Sequence, residues 1–449
     1  MRSFCRLFVL VISLMGVLGV ATPFTVLAEV VINISRGVVK PTKIAVPLFH
    51  GNTPLVQDIV HVVTRDLESS GLFSLVNPHA YIQSFSSFEV EPRFEDWNLV
   101  HAQILVHGDV TFLEGQITVA FKVYDVVSQQ ILDQFSLSGK AVAWRQMAHM
   151  IADTVYSRIT GEKPYFNSRI VYIAETRTKR RRIKRLALMD ADGANHKFLT
   201  KGDTLVTTPR FSPIRQEITY FSYIESVNAC GRRYPRGGRI YRLDLQTGQT
   251  EVIGHVRGIS FAPRYAPDGQ SLVFSAVYRG VSSIYTFDLR TRTVRRLTRG
   301  NCIDTSPCYS PDGRQIVFNS DRGGAQQLYI MDADGTNVRR LSFGLGKFAT
   351  PVWSPRGDWI AFTRMTTGNF YIGVMRPDGT GQRMIAKGYI LESPTWAPNG
   401  RVLMFTRQER GGSSRLYSID VTGYNEFCVS TPHDASDAAW SPLIQLMKM

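Results

Sequence analysis

The sequence predicts an α+β multidomain chain: an N-terminal α/β domain followed by a six-bladed β-propeller closed by a C-terminal strand fragment. Three observations carry this. A Pro-x-aromatic-Ser/Ala-Pro unit recurs through the second half. Turn residues cut each repeat into four short strands. The first repeat lacks its leading strand, and a matching orphan stands near the C-terminus.

The repeat begins as Pro209-Arg210-Phe211-Ser212-Pro213 and returns as Pro263-Arg264-Tyr265-Ala266-Pro267-Asp268-Gly269. It continues as Pro307-Cys308-Tyr309-Ser310-Pro311-Asp312-Gly313 and Pro351-Val352-Trp353-Ser354-Pro355-Arg356-Gly357. The last full copy is Pro394-Thr395-Trp396-Ala397-Pro398-Asn399-Gly400. After a first step of 54 residues the period is 43–44. Within it, an alternating strand such as Gln315–Ser320 follows the turn. A Gly-rich loop, Asp321–Gly324, leads to a third strand, Gln327–Asp332, and Ala333-Asp334-Gly335 turns into a fourth, Val338–Leu341. Pro-Asp-Gly and Asp-Gly supply hairpin geometry. Four antiparallel strands in such a period make a propeller blade.

The first blade starts at Arg169–Glu175 and continues through Leu186–Gly193, so it lacks an innermost strand. Ala438-Ala439-Trp440-Ser441-Pro442 supplies one. Five full copies and this composite make six blades. A ring closed in this way exposes no first-to-last edge. Strand composition excludes helical solenoids, and hairpins within each unit argue against a β-helix.

The chain opens with Arg2 and Arg6, an apolar run from Leu7 to Val20, and small residues at Val26 and Ala28. This is the pattern of a secretory signal cleaved before Glu29. The run falls short of the ~20 residues that span a bilayer. Residues 1–28 therefore read as a signal peptide, 29–40 as an N-terminal segment, 41–165 as the α/β domain and 169–449 as the propeller. In the α/β domain, Lys43–Phe49 reads as a buried strand. Leu55, Ile59, Val62, Val63 and Leu67 fall at helical spacing, as do Trp144, Met147, Ile151, Val155 and Ile159. Ile104–Gly108 and Gln116–Tyr124 read as strands. The expected location is outside the cytoplasm, without an integral membrane segment.

The formal net charge of +15 falls to +13 once Arg2 and Arg6 are removed. Such an excess favours anionic partners. For an exported protein these are acidic proteins or the envelope surface, not nucleic acid. Cys230, Cys302, Cys308 and Cys428 allow three disulfide pairings. No Cys-x-x-Cys pair or Cys/His cluster points to zinc. There is no Gly-x-Ser-x-Gly elbow and no hydrolase-length segment after Pro442. Met189–Gly193 and Met331–Gly335 lack calcium-loop spacing and read as hairpin turns. The basic run Arg177–Arg185 reads as a solvated hairpin loop. His107, His149 and His255 stand alone, and Trp353, Trp396 and Trp440 share one repeat position as core residues. No catalytic residue, metal site or cofactor is expected.

Topology places every connection from an outermost strand to the next innermost strand at one rim, along with the second-to-third strand loops. Thr208, Ala262, Ser306, Thr350 and Ser393 precede the repeat prolines and ring that mouth. Thr305, Ala349 and Glu392 flank them, and Asp437 precedes the closing fragment. Small polar groups there suit an inserted loop from another protein. The insertion Glu225–Gly238 enlarges the same face. The second candidate is the mature N-terminus, Glu29-Val30-Val31-Ile32-Asn33-Ile34, which is β-prone and can add to another protein's sheet or dock on its own propeller.

This ordered set resembles the TolB family, the periplasmic propellers of the Tol-Pal system of Gram-negative bacteria. The resemblance covers the signal, the mature start, the α/β domain, Arg169–Glu175 with Leu186–Gly193, the repeat units and Ala439–Pro442. It implies a non-enzymatic role in outer-membrane integrity and in invagination at division. It further implies that the rim around Ala262, Thr305, Ser306, Thr350, Glu392 and Ser393 binds the lipoprotein Pal. Glu29, Val30, Val31, Ile32, Asn33 and Ile34 would bind TolA, alongside other envelope partners. The alternative is a propeller enzyme or sugar binder acting in the central channel, for which clustered channel carboxylates are expected and the repeat offers none.

Overall fold

A computed structural model describes residues 40–177, 182–227, 233–253 and 259–444. The signal, Glu29–Ile34, Cys230, His255 and residues 178–181 of the basic run lie outside the described residues.

The N-terminal part is a mixed sheet of strands β1 (Thr42–Ala45), β2 (His50–Gly51), β3 (Phe73–Leu75), β4 (Ile104–Leu113), β5 (Gln116–Asp125) and β6 (Gln130–Lys140). Its order is β3-β1-β4-β5-β6, with β2 paired to β4. Helices α1 (Leu55–Ser69) and α3 (Trp144–Thr160) cover one face. Ile59, Val63 and Leu67 of α1 meet Met147, Ile151 and Val155 of α3 over Ile117, Val119 and Phe121 of the sheet. Trp97, from the short helix α2 (Phe94–Leu99), anchors a separate cluster with Ala45, Leu105 and Tyr124. The strand expected over 43–49 pairs only as far as Ala45. Pro47 has no N–H to continue a ladder, and the Val46 N–H donates to the Tyr81 hydroxyl at 3.2 Å.

The rest is six four-stranded sheets. Their innermost strands are Val206–Phe211, Ile259–Tyr265, Thr305–Tyr309, Lys347–Trp353, Ile390–Trp396 and Asp434–Trp440. The last pairs antiparallel with Arg169–Arg177, Asp434 opposite Glu175 and Trp440 opposite Ile170. The two ends of the propeller thus share one blade. Each second strand places an aromatic residue at one register: Tyr172, Tyr220, Phe274, Phe318, Phe362 and Phe405, all buried. Most face a tyrosine on the third strand, as Phe274 faces Tyr285 with ring centroids 5.9 Å apart. Phe362 instead faces Gly373, where a Cβ would stand 2.6 Å from its ring.

The α/β part docks on the propeller face that carries the first-to-second and third-to-fourth strand turns. The Trp440 indole N–H donates to Ser168 Oγ at 2.7 Å, and its ring meets Tyr165 edge-on. Asn425 donates to the Ser69 carbonyl at 2.7 Å. Arg145 pairs with Asp192, and Arg356 with Glu162. His149 Nδ1 lies 2.6 Å from Asp66 in a buried pair. Burial opposes charge on this histidine, but the Asp66 hydrogen bond and charge outweigh it and raise its pKa. His149 is therefore a packing element with a partner, and His107 is buried with its ring stacked on Phe85 at 3.8 Å.

The junction is fixed by Asp153. Its carboxylate accepts the backbone N–H groups of Tyr165, Phe166 and Asn167 at 3.0, 2.7 and 3.1 Å. Burial pushes its pKa up to about 7 even against those donors. Asp153→Ala orphans three buried donors, and an unpaired buried group costs about 1–3 kcal/mol. The expected loss is about 3 kcal/mol or more, read from the denaturant midpoint of the full chain.

Candidate protein-binding rim

The rim is built by one backbone device repeated six times. Thr208, Ala262, Ser306, Thr350, Ser393 and Asp437 all have positive φ, between 46° and 54°. At each, the register between innermost and second strands slips, for instance between Thr305 and Cys308. Proline cannot donate to a ladder, and it disfavours the right-handed region for the residue before it. Five of the six bulges precede a proline; Asp437 precedes Ala438. A left-handed conformation is uncommon outside glycine, and for β-branched Thr208 and Thr350 it is strained. Such strain persists only where the surroundings over-determine it.

Those surroundings are polar and specific. The Asp437 carboxylate accepts the Thr208 N–H of the next blade at 2.5 Å and faces Arg210 at 3.4 Å. The Asp437 N–H donates to Thr406 Oγ1 at 2.9 Å. Thr305 Oγ1 accepts from Asn319 at 2.8 Å, and Thr350 Oγ1 donates to Thr363 Oγ1 at 3.0 Å. Glu392 is open to solvent yet walled by protein, and that partial desolvation, then the nearby Asp437 charge, raises its pKa. One connection is clamped: Arg322 donates to both oxygens of buried Asp304 at 3.0 Å, and Asp321 accepts the Ile303 N–H at 2.7 Å.

The predicted rim residues all lie within the innermost strands, with the left-handed residue at or near the middle of each. Ala262, Thr305, Ser306, Thr350 and Ser393 are half-buried, and Glu392 is exposed. The sequence reading missed a second set. Leu205, Ile303, Phe343, Leu345 and Tyr389 are exposed apolar residues in the connections between blades, Phe343 at 65% and Leu345 at 85% exposure. The signal was legible: each is an apolar residue in a polar turn just ahead of an innermost strand. The second blade adds a long hairpin, with strands Glu217–Val227 and Arg233–Asp244.

Among the described residues Cys302, Cys308 and Cys428 are free thiols. His149, Asp190 and Asp192 bring ligand atoms within 4.8 Å of one another, but Arg145 already supplies the cation between the two aspartates.

Asp437 is the joint between the closing strand and the second blade. Asp437→Ala removes the acceptor for the Thr208 N–H and the counter-charge of Arg210. Removing one partner of a half-buried charged contact leaves the other exposed to the desolvation cost. The expected loss is about 2–4 kcal/mol, measured by urea unfolding against wild type.

A model of the TolB β-propeller domain matches residues 156–444, and a model of the TolB amino-terminal domain matches residues 30–132. The Tol-Pal system protein TolB of Paramagnetospirillum magneticum is 49% identical over 250 residues, covering 55% of this chain and 54% of that protein. The match thus spans about half the length of that curated relative. The crystal structure of TolB from Acinetobacter baumannii has a TM-score of 0.76 at 28% identity, covering 91% of this chain and 98% of the other. With a sheet-and-helix layer in front, a six-bladed ring behind and both domain models matched in that order, the chain belongs to the TolB family.

Proposed function

We propose that this chain is a non-enzymatic periplasmic adaptor of the Tol-Pal system. It binds the lipoprotein Pal at the propeller rim and TolA through the mature N-terminal segment Glu29–Ile34. In doing so it supports outer-membrane integrity and invagination during division. Family membership and the export pattern of residues 1–28 support the setting.

The observation that carries the reading is the composition of the free propeller face. Half-buried Ala262, Thr305, Ser306, Thr350 and Ser393 ring the mouth, with exposed Glu392 beside them. Exposed Leu205, Ile303, Phe343, Leu345 and Tyr389 stand in the connections between blades. An apolar rim around a polar mouth suits a protein partner that inserts a loop and covers the edge. The α/β part occupies the opposite face and leaves this one open. Catalysis in the channel finds less support, because Asp437 is engaged with Thr208 and Arg210.

The test is a periplasmic pull-down with the mature chain. Thr305→Arg with Ser306→Arg fills the mouth with two long cations and is expected to weaken Pal binding about 100-fold or more. Deleting Glu29–Ile34 is expected to remove TolA and leave Pal. A Phe343→Ser, Leu345→Ser variant should weaken Pal about 100-fold or more, since each buried apolar side chain contributes roughly 1.5–3 kcal/mol and about 1.4 kcal/mol is tenfold. Wild-type protein that retains neither partner would sink the adaptor reading.

A further inference from the structure

On the inner side of the bulged ring, the channel holds a cavity of about 460 Å³. Small-molecule sites commonly have this size. Its wall uses the middle position of the Pro-x-aromatic unit: Arg210, Arg264, Cys308, Thr395 and Ala439 all line it. Adjacent blades thus put two guanidinium groups into the chamber, and the remaining positions carry small groups. Tyr265, Trp353 and Trp396 supply flat apolar surface in the same chamber.

One of the two charges has a counter-ion and the other has none in contact. Arg210 donates to the Pro209 carbonyl at 2.6 Å and faces Asp437 at 3.4 Å. Arg264 has no hydrogen bond or ion pair among the described residues, and no Asp or Glu lines the cavity. Burial, and then the like charge of Arg210, lower the Arg264 pKa to about 10. It therefore remains a cation at neutral pH. Arg264 is half-buried; a partly desolvated cation with no contact partner is costly, and an anion that supplies charge and acceptors offsets that cost. Guanidinium groups match carboxylate and phosphate oxygens in pairs. Aromatic walls with a few placed polar groups complete a small-ligand site.

We propose that this chamber binds a small organic anion, a carboxylate or phosphate monoester carried on a ring-sized apolar body. The head group sits on Arg264 and Arg210, and the body lies against Trp353, Trp396 and Tyr265. The site is tested apart from the adaptor reading through Arg264, which is not a rim residue, whereas Arg210 touches the rim through Asp437. Loss of one leaves the other standing.

The experiment uses the full mature chain at constant ionic strength. Tryptophan fluorescence and thermal unfolding are followed with benzoate, phenyl phosphate and the neutral benzyl alcohol. Saturable binding and a raised Tm are expected with at least one anion and with neither property for the alcohol; which anion binds tighter identifies the head group. Arg264→Gln is expected to weaken the anion about tenfold or more. Without ligand it should be at least as stable as wild type, because the unpaired charge is gone. Arg292→Gln, on the exposed surface, should bind like wild type. The proposal is overturned if neither anion saturates, if Arg264→Gln binds them equally well, or if that variant is destabilised without ligand, which would make Arg264 a structural residue.

Discussion

Asp434–Trp440 pairs with Arg169–Arg177, and this ladder joins the two ends of the propeller into one blade. Without it, the second strand of that blade would present unpaired N–H and C=O groups along its length, an open edge. Each hydrogen bond in the ladder nets only about 0.5–1.5 kcal/mol. The ladder's weight comes from what else hangs on it. Trp440 reaches Ser168 and Tyr165 at the domain junction, and Asp437 reaches Thr208 and Arg210 in the next blade. One seven-residue strand therefore closes the ring, seats the α/β part and completes the rim.

The ring constrains the rim in turn. Six innermost strands converge on one channel, and each is broken at the same point by a left-handed bulge. A bulge re-aims its residue and ends regular pairing. The backbone N–H groups freed there need partners, and the Asp437 carboxylate and Thr406 hydroxyl supply oxygens to those of Thr208 and Asp437. The mouth is thus held by a rigid scaffold rather than by mobile loops, an arrangement that keeps the ordering cost of binding low.

The repeat made most of this legible. Proline spacing gave blade number and the composite blade, and the turn residues gave the strand order, because a hairpin repeat leaves few ways to close. The rim positions followed from topology, although their left-handed backbone did not, since Thr, Ala and Ser carry no glycine-like marker for it. The α/β part was less readable. Strand β6 alternates half-buried and exposed residues at the sheet edge, and α2 is too short for a helical period to emerge. The pairing of His149 with Asp66 joins residues far apart in sequence, so His149 seemed isolated. Apolar residues in the inter-blade connections were passed over because single exposed hydrophobics are ordinary; only the ring brings them to one face.

The two ends of the channel differ in a way the repeat itself conceals. All blades share one unit, so a perfectly regular ring would offer equivalent positions all round. The docked α/β part breaks that symmetry on one face, by contacts at Ala397, Val402, Asn425 and Trp440. The middle position of the repeat breaks it within the channel, with arginine in two neighbouring blades and cysteine, threonine or alanine in three others. Packing does not require that choice, because Cys308, Thr395 and Ala439 fill the equivalent places with small groups. A cation retained where a small neutral residue also fits is therefore better explained by something that meets it than by the needs of the fold.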